Sequence, residues 1–98
     1  MDDAAVLERF QRWFESQCDD DWEHGNGIRI ETLDNPGWFI RIYLEGTDVA
    51  SKPFTAVEID RTDEDWLRLW IEDEVWTAAT GPLNLSEALA SFLAWADG

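Results

Sequence analysis

Apolar residues along this chain recur with two periods. Near the N-terminus, Val6, Leu7, Phe10, Trp13 and Phe14 return at helical spacing, with Glu8, Arg9, Arg12, Glu15 and Gln17 on the other side. Asp2 or Asp3 can cap this helix. It is expected to fade near Gln17, because Asp19-Asp20-Asp21 would meet the unfavourable end of the helix dipole. The period then changes to two. Ile28 and Ile30 alternate with Arg29 and Glu31, and Trp38, Ile40, Ile42 and Leu44 alternate with Phe39, Arg41 and Tyr43. Residues 54–60 carry Val57 and Ile59 on one side, and residues 66–72 set Leu67, Leu69 and Ile71 against Trp66, Arg68 and Trp70. A second helical stripe follows, made of Leu85, Ala88, Leu89, Phe92, Leu93 and Ala96. Asn84 and Glu87 before it have capping-box spacing, with Ser86 an alternative cap. The predicted order is helix, four strands, helix. Short connections favour an antiparallel meander, and one apolar stripe per helix puts both helices on one sheet face. The expected fold is a single α+β domain over residues 1–98.

Residues 21–38, DWEHGNGIRIETLDNPGW, join the first helix to the sheet. Gly25 and Gly27 free the backbone for a bend. Asn35-Pro36-Gly37 reads as a type II turn, with Pro36 fixing φ at the first central position and Gly37 supplying positive φ at the second. The stretch from Cys18-Asp19 through Trp22-Glu23-His24-Gly25 and Gly27-Ile28 to Thr32-Leu33-Asp34-Asn35-Pro36-Gly37-Trp38 resembles the immunity protein 53 family of bacterial polymorphic toxin systems. The likeness continues into Leu44-Glu45-Gly46-Thr47 and thins towards the C-terminus. The resemblance implies a small protein that binds and neutralises a cognate toxin, and it implies no catalytic residues.

Charge narrows the classes of partner. Seven basic residues face 22 acidic ones in 98, a formal net charge of −15. Such a surface repels nucleic acid and anionic membrane and attracts basic partners. It also keeps a protein with seven tryptophans in solution, whatever it binds. No stretch has the apolar length that crosses a membrane, and the N-terminus has no signal-peptide pattern. Cys18 is the only cysteine, so no disulfide forms within the chain, and the expected location is the cytoplasm. Its acidic neighbours disfavour a reactive thiol, and a small buried residue is expected. Motifs for phosphate, dinucleotide, zinc and serine-nucleophile chemistry are absent, so neither enzyme nor cofactor is expected.

Two candidate sites remain. The sheet face opposite the aliphatic one carries Arg29, Glu31, Phe39, Arg41, Tyr43, Glu58, Trp66, Arg68, Trp70 and Glu72. Tyr, Trp and Arg are enriched in interface hot spots. The same residues could equally form cross-strand pairs, and Val75-Trp76 could fold over part of the face. Trp13, Trp38 and Trp95 point inward or to a helix rim, whereas Trp66, Trp70 and Trp76 do not. The family resemblance favours a partner site built on Phe39, Arg41, Tyr43, Trp66, Arg68 and Trp70. The second candidate is the loop Asp19-Asp20-Asp21-Trp22-Glu23-His24. Asp19, Asp20, Asp21 and Glu23 could steer a basic toxin, together with residues 60–65 and 72–74. With His24 the loop could instead hold a divalent cation or serve a hydrolytic protein. A solvated loop fixed by its own hydrogen bonds is the stronger reading.

Overall fold

The computed structural model describes residues 2–98. Its elements are α1 (Asp3–Gln17), β1 (Ile28–Leu33), β2 (Gly37–Tyr43), β3 (Val57–Asp60), β4 (Trp66–Glu72), β5 (Val75–Thr80) and α2 (Leu85–Asp97). The α+β class and both helices are as expected. The sheet has five strands rather than four, in the order β1-β2-β5-β4-β3, and every neighbouring pair is antiparallel. It is therefore not a simple meander. A hairpin of β1 and β2 joins a meander of β3, β4 and β5 through the β2–β5 pairing. Residues 44–56 cross from β2 to the far edge.

The unforeseen strand is Val75–Thr80. Its hairpin with β4 pairs Glu72 with Val75 and turns on Asp73 and Glu74, both at positive φ (54° and 62°). Two central residues of this kind make a type I′ turn, which suits strand twist but usually calls for Asn and Gly. Trp76 does not fold over the open face. It lies in β5 and is fully buried on the other side. Cross-strand rows define that side: Ile28, Ile42, Trp76 and Ile71 form one, and Ile30, Ile40, Ala78, Leu69 and Val57 the next. The aliphatic face read from alternation is thus correct, with β5 added at its centre.

Both helices meet this face through aromatic edges. Phe92 of α2 sits 5.1 Å from Trp76 and 4.7 Å from Trp13 of α1, centroid to centroid. Asp2 caps α1 by accepting from Ala5 N at 2.8 Å. Asn84 occupies the N-cap position of α2, but its side chain makes no cap bond there. It serves the sheet instead, donating to Asp65 Oδ1 at 2.8 Å and Glu87 Oε1 at 3.1 Å and accepting from Trp66 N at 3.4 Å. The crossing segment is tied down at both helix C-termini. Asp48 N donates to Gln17 Oε1 at 3.1 Å, Lys52 Nζ donates to Gly98 O at 2.6 Å, and Trp95 Nε1 donates to Pro53 O at 2.7 Å. No described helix is long and apolar enough to cross a membrane.

The turn at Asn35-Pro36-Gly37 departs from the type II expectation. Leu33 pairs with Gly37, so Asp34, Asn35 and Pro36 form the loop, and Gly37 opens β2 without positive φ. Glycine is needed here for closeness, since a Cβ would stand 2.0 Å from the carbonyl oxygen of Thr80 on β5. Gly37→Ala must push β2 and β5 apart where the two halves of the sheet join. It is expected to lower unfolding free energy by about 1–3 kcal/mol, as overpacking does, measured by urea denaturation followed through tryptophan fluorescence.

Candidate functional site

The helices occupy one sheet face, and the other carries no helix. There β5 contributes only Val75, Thr77 and Ala79. On its two sides stand larger residues in the same order, aromatic, arginine, aromatic: Phe39, Arg41 and Tyr43 on β2, and Trp66, Arg68 and Trp70 on β4. Strand pairing sets Arg41, Thr77 and Trp70 in one row, and Phe39, Ala79 and Arg68 in the next. With neighbouring strands about 4.8 Å apart, the two ridges run about 10 Å apart over a floor of small side chains. The structure therefore brings together all six face residues singled out from alternation, each half-buried.

Each ridge is braced. The Arg41 guanidinium lies 5.4 Å from the Phe39 ring centre, and Arg68 lies 5.5 Å from that of Trp66. Arg41 Nη2 donates to Glu31 Oε1 at 2.7 Å, and Arg68 Nη2 pairs with Asp60 at 2.9 Å. Trp70 Nε1 donates to Glu72 at 3.3 Å. These contacts are the cross-strand pairs that the residue types allow, so the ridges are held in place by the chain itself. Two donors are left over. Arg41 Nε and Arg68 Nη1 are shielded from water and have no acceptor among the described residues.

Acidic residues border this face at both ends. A depression beside Tyr43 and Val75 is lined by Asp19, Asp21, Glu45, Asp73 and Glu74. Another, beside Trp66, Arg68 and Ala79, is lined by Asp60 and Asp63 together with Arg61. Parts of residues 19–21, 60–63 and 72–74 thus lie at the two ends of the ridged face.

Within residues 19–24 the carboxylates divide in use. Asp19 Oδ1 accepts from Trp22 N and Asp21 N, both at 3.0 Å, and these bonds, Trp22's first, hold its carboxyl below the usual range. Glu23 accepts from Asp19 N on one oxygen and Asp20 N on the other, both at 2.8 Å. Backbone N–H groups, its own first, likewise lower its pKa. Trp22 anchors the loop, buried against Trp13 and donating Nε1 to Tyr43 O at 2.8 Å. Asp19 and Glu23 therefore shape the turn, while Asp20 and Asp21 stand exposed. Cys18 is half-buried rather than buried. Its thiol donates to Phe14 O at 3.2 Å, and burial followed by acidic neighbours raises its pKa, so it is a poor nucleophile.

Asp20, Glu23 and His24 bring one possible ligand atom each within 4.8 Å of one another. Both Glu23 oxygens are already engaged by the backbone, so a cation would have to compete with the bonds that close the loop. Calorimetric titration with Ca²⁺, Mg²⁺ and Zn²⁺ is expected to show no tight binding. Heat of tight binding that disappears in His24→Ala would contradict this.

A second carboxylate cluster joins β4 to α2. Arg61 reaches Glu87 at 2.6 Å and Asp65 at 2.8 Å, and Asn84 bonds both acids. Arg61, then Asn84, lowers the pKa of Glu87, and Asn84, then Arg61, lowers that of Asp65. Carboxyls depressed in the folded state stabilise it above their unfolded pKa, near 4, and that contribution is lost as pH falls through the folded value. Stability is therefore expected to drop as pH is lowered below about 4, and to drop less steeply in Glu87→Gln. Urea midpoints measured from pH 6 to pH 2.5 test it; identical slopes in both proteins would remove Glu87 from the effect.

A family model described as immunity protein 53 matches residues 7–97, and the chain belongs to that family. No curated protein and no solved structure matches it.

Proposed function

We propose that this member of the immunity protein 53 family neutralises a cognate toxin by stoichiometric binding, with the ridged sheet face as the contact surface and no catalytic step of its own. The observation that carries the reading is the pair of braced aromatic–arginine–aromatic ridges on a helix-free face, bordered by acids at both ends. Rigid Trp, Tyr and Arg side chains lose little entropy on binding and dominate interface energetics. Arg41 Nε and Arg68 Nη1 want acceptors, which backbone carbonyls of a docked chain would supply. The acidic border and the net charge of −15 fit a basic toxin domain. Asp20, Asp21, Asp73 and Glu74 speed encounter, and the ridges slow dissociation. Asp19 and Glu23 contribute their charge from a fixed turn. The protein would act in the cytoplasm of the producing cell, covering the toxin's active site or the path of its substrate.

The test uses the toxin domain encoded beside this gene. Trp66→Ala and Trp70→Ala, each checked for fold by circular dichroism, are expected to weaken binding by about 30-fold or more, the effect of a hot-spot truncation of roughly 2 kcal/mol. Raising salt is expected to slow association and leave dissociation nearly unchanged. Unchanged affinity in both folded variants would move the toxin site off this face.

A further inference from the structure

The two edges of the sheet are unequal. β3 is four residues long, and its Glu58 and Asp60 are both engaged by Arg68. β1 is six residues long, and Ile30 at its centre is 42% exposed although it faces the core side. Beside it, α1 leaves Phe14 exposed, and Phe10, Phe14, Cys18 and Ile28 line a groove between α1 and this edge. Arg29 is exposed on the same strand. It is the one basic residue for which no ion pair or acceptor is found among the described residues, in a protein with 22 carboxylates. Its cross-strand neighbour is another arginine, Arg41.

We propose that β1 pairs antiparallel with β1 of a second copy about a two-fold axis through Ile30, forming a dimer with one continuous sheet. Hydrogen-bond parity selects this register. The carbonyl of Gly27 accepts from Tyr43 N at 3.0 Å, so the backbone groups of Arg29, Glu31 and Leu33 turn to β2, and those of Ile28, Ile30 and Thr32 turn outward. Outward groups of two copies meet when the axis passes through Arg29, Ile30 or Glu31. An axis at Arg29 sets arginine against arginine, and one at Glu31 sets glutamate against glutamate. The axis at Ile30 sets Ile30 against its copy and Arg29 against Glu31 of the second copy, twice. These charged residues then fall in non-hydrogen-bonded pairs, where side chains approach most closely. Glu31 can serve both partners, since only its Oε1 is used by Arg41. Near the axis the exposed Phe14 of each α1 helix, beside Ile28, flanks the new strand pair and adds apolar area on the helical side. The contact is self-complementary, which a two-fold interface requires and an arbitrary partner strand would not match.

Sedimentation equilibrium of the full chain over a concentration series, at about 0.15 M salt to screen the charge of each copy, tests the proposal. The apparent mass is expected to rise from 11.3 kDa towards twice that value. Arg29→Glu and Ile30→Lys, both at exposed positions, are expected to weaken association by about tenfold or more while circular dichroism stays unchanged. Arg29→Glu combined with Glu31→Arg restores the opposite-charge pairs between copies, and the carboxylate then at position 29 lies directly across from Arg41. The double variant should therefore recover association. A monomer at every concentration overturns the proposal. So does a dimer indifferent to both single changes, or a double swap that fails to recover. Edge variants that leave mass unchanged yet weaken toxin capture would assign the edge to the toxin and equally overturn it.

Discussion

The pairing of β5 between β2 and β4 is the constraint on which the rest of the structure depends. Without it the β1–β2 hairpin and the β3–β4 hairpin are separate pieces, and isolated hairpins are marginal in water. With it they become one sheet, and the residues of β5 alternate between two jobs. Trp76, Ala78 and Thr80 face the helices, where Trp76 fills the space beneath Phe92 and Phe54. Val75, Thr77 and Ala79 face the other way and keep the floor between the ridges low. The small side chains are what make the ridges stand out. Bulky residues on β5 would fill the trough and leave a flat surface.

Much of the fold was legible because most elements carry a strong contrast between their two faces. The α1 stripe, the alternation in β2 and β4, and the α2 stripe each separate apolar from polar or aromatic from aliphatic, and the structure confirms the face assigned to every one of those strand residues. β5 escaped notice for the opposite reason. Val75–Thr80 is the central strand, with the helices on one face and small side chains between two ridges on the other, so its residues are mixed and show no clean period. The turn before it is also unmarked, since Asp73 and Glu74 adopt positive φ without glycine. Gly37 misled in a different way. A Pro-Gly pair fits a type II turn, but the requirement came from a neighbouring strand distant in sequence, which local turn chemistry cannot reveal. The exposure of Leu7 and Phe14 is of the same kind: the stripe on α1 is wider than the surface the rest of the chain offers to cover it.

The acidic surplus has to be read residue by residue. Asp2 caps a helix, Asp19 and Glu23 close a turn, and Asp65 and Glu87 hold Arg61 at the start of α2. Those carboxylates support the fold, and several have lowered pKa values because of it. What is left for a partner is the exposed remainder, and it is not spread evenly. Asp21, Glu45, Asp73 and Glu74 line one end of the ridged face, and Asp60 and Asp63 the other. Of the four carboxylates at Asp19, Asp20, Asp21 and Glu23, two have structural duties. Glu74 keeps its charge at a position where glycine would sit with less strain.

The ridged face and the β1 edge are distinct surfaces, yet they share one ion pair. Arg41 stands on a ridge, and Glu31, which holds it at 2.7 Å, stands on the edge strand. Any interaction that draws on Glu31 from outside the edge therefore bears on how firmly Arg41 is held. Arg41 uses only Oε1 of that carboxylate, so Oε2 is open to a second donor. Pairing at the edge would bring the Arg29 guanidinium of the second copy to it, and two cations on one anion divide its attraction and repel each other. The edge and the ridge are therefore coupled through Glu31, and a change at that residue acts on both.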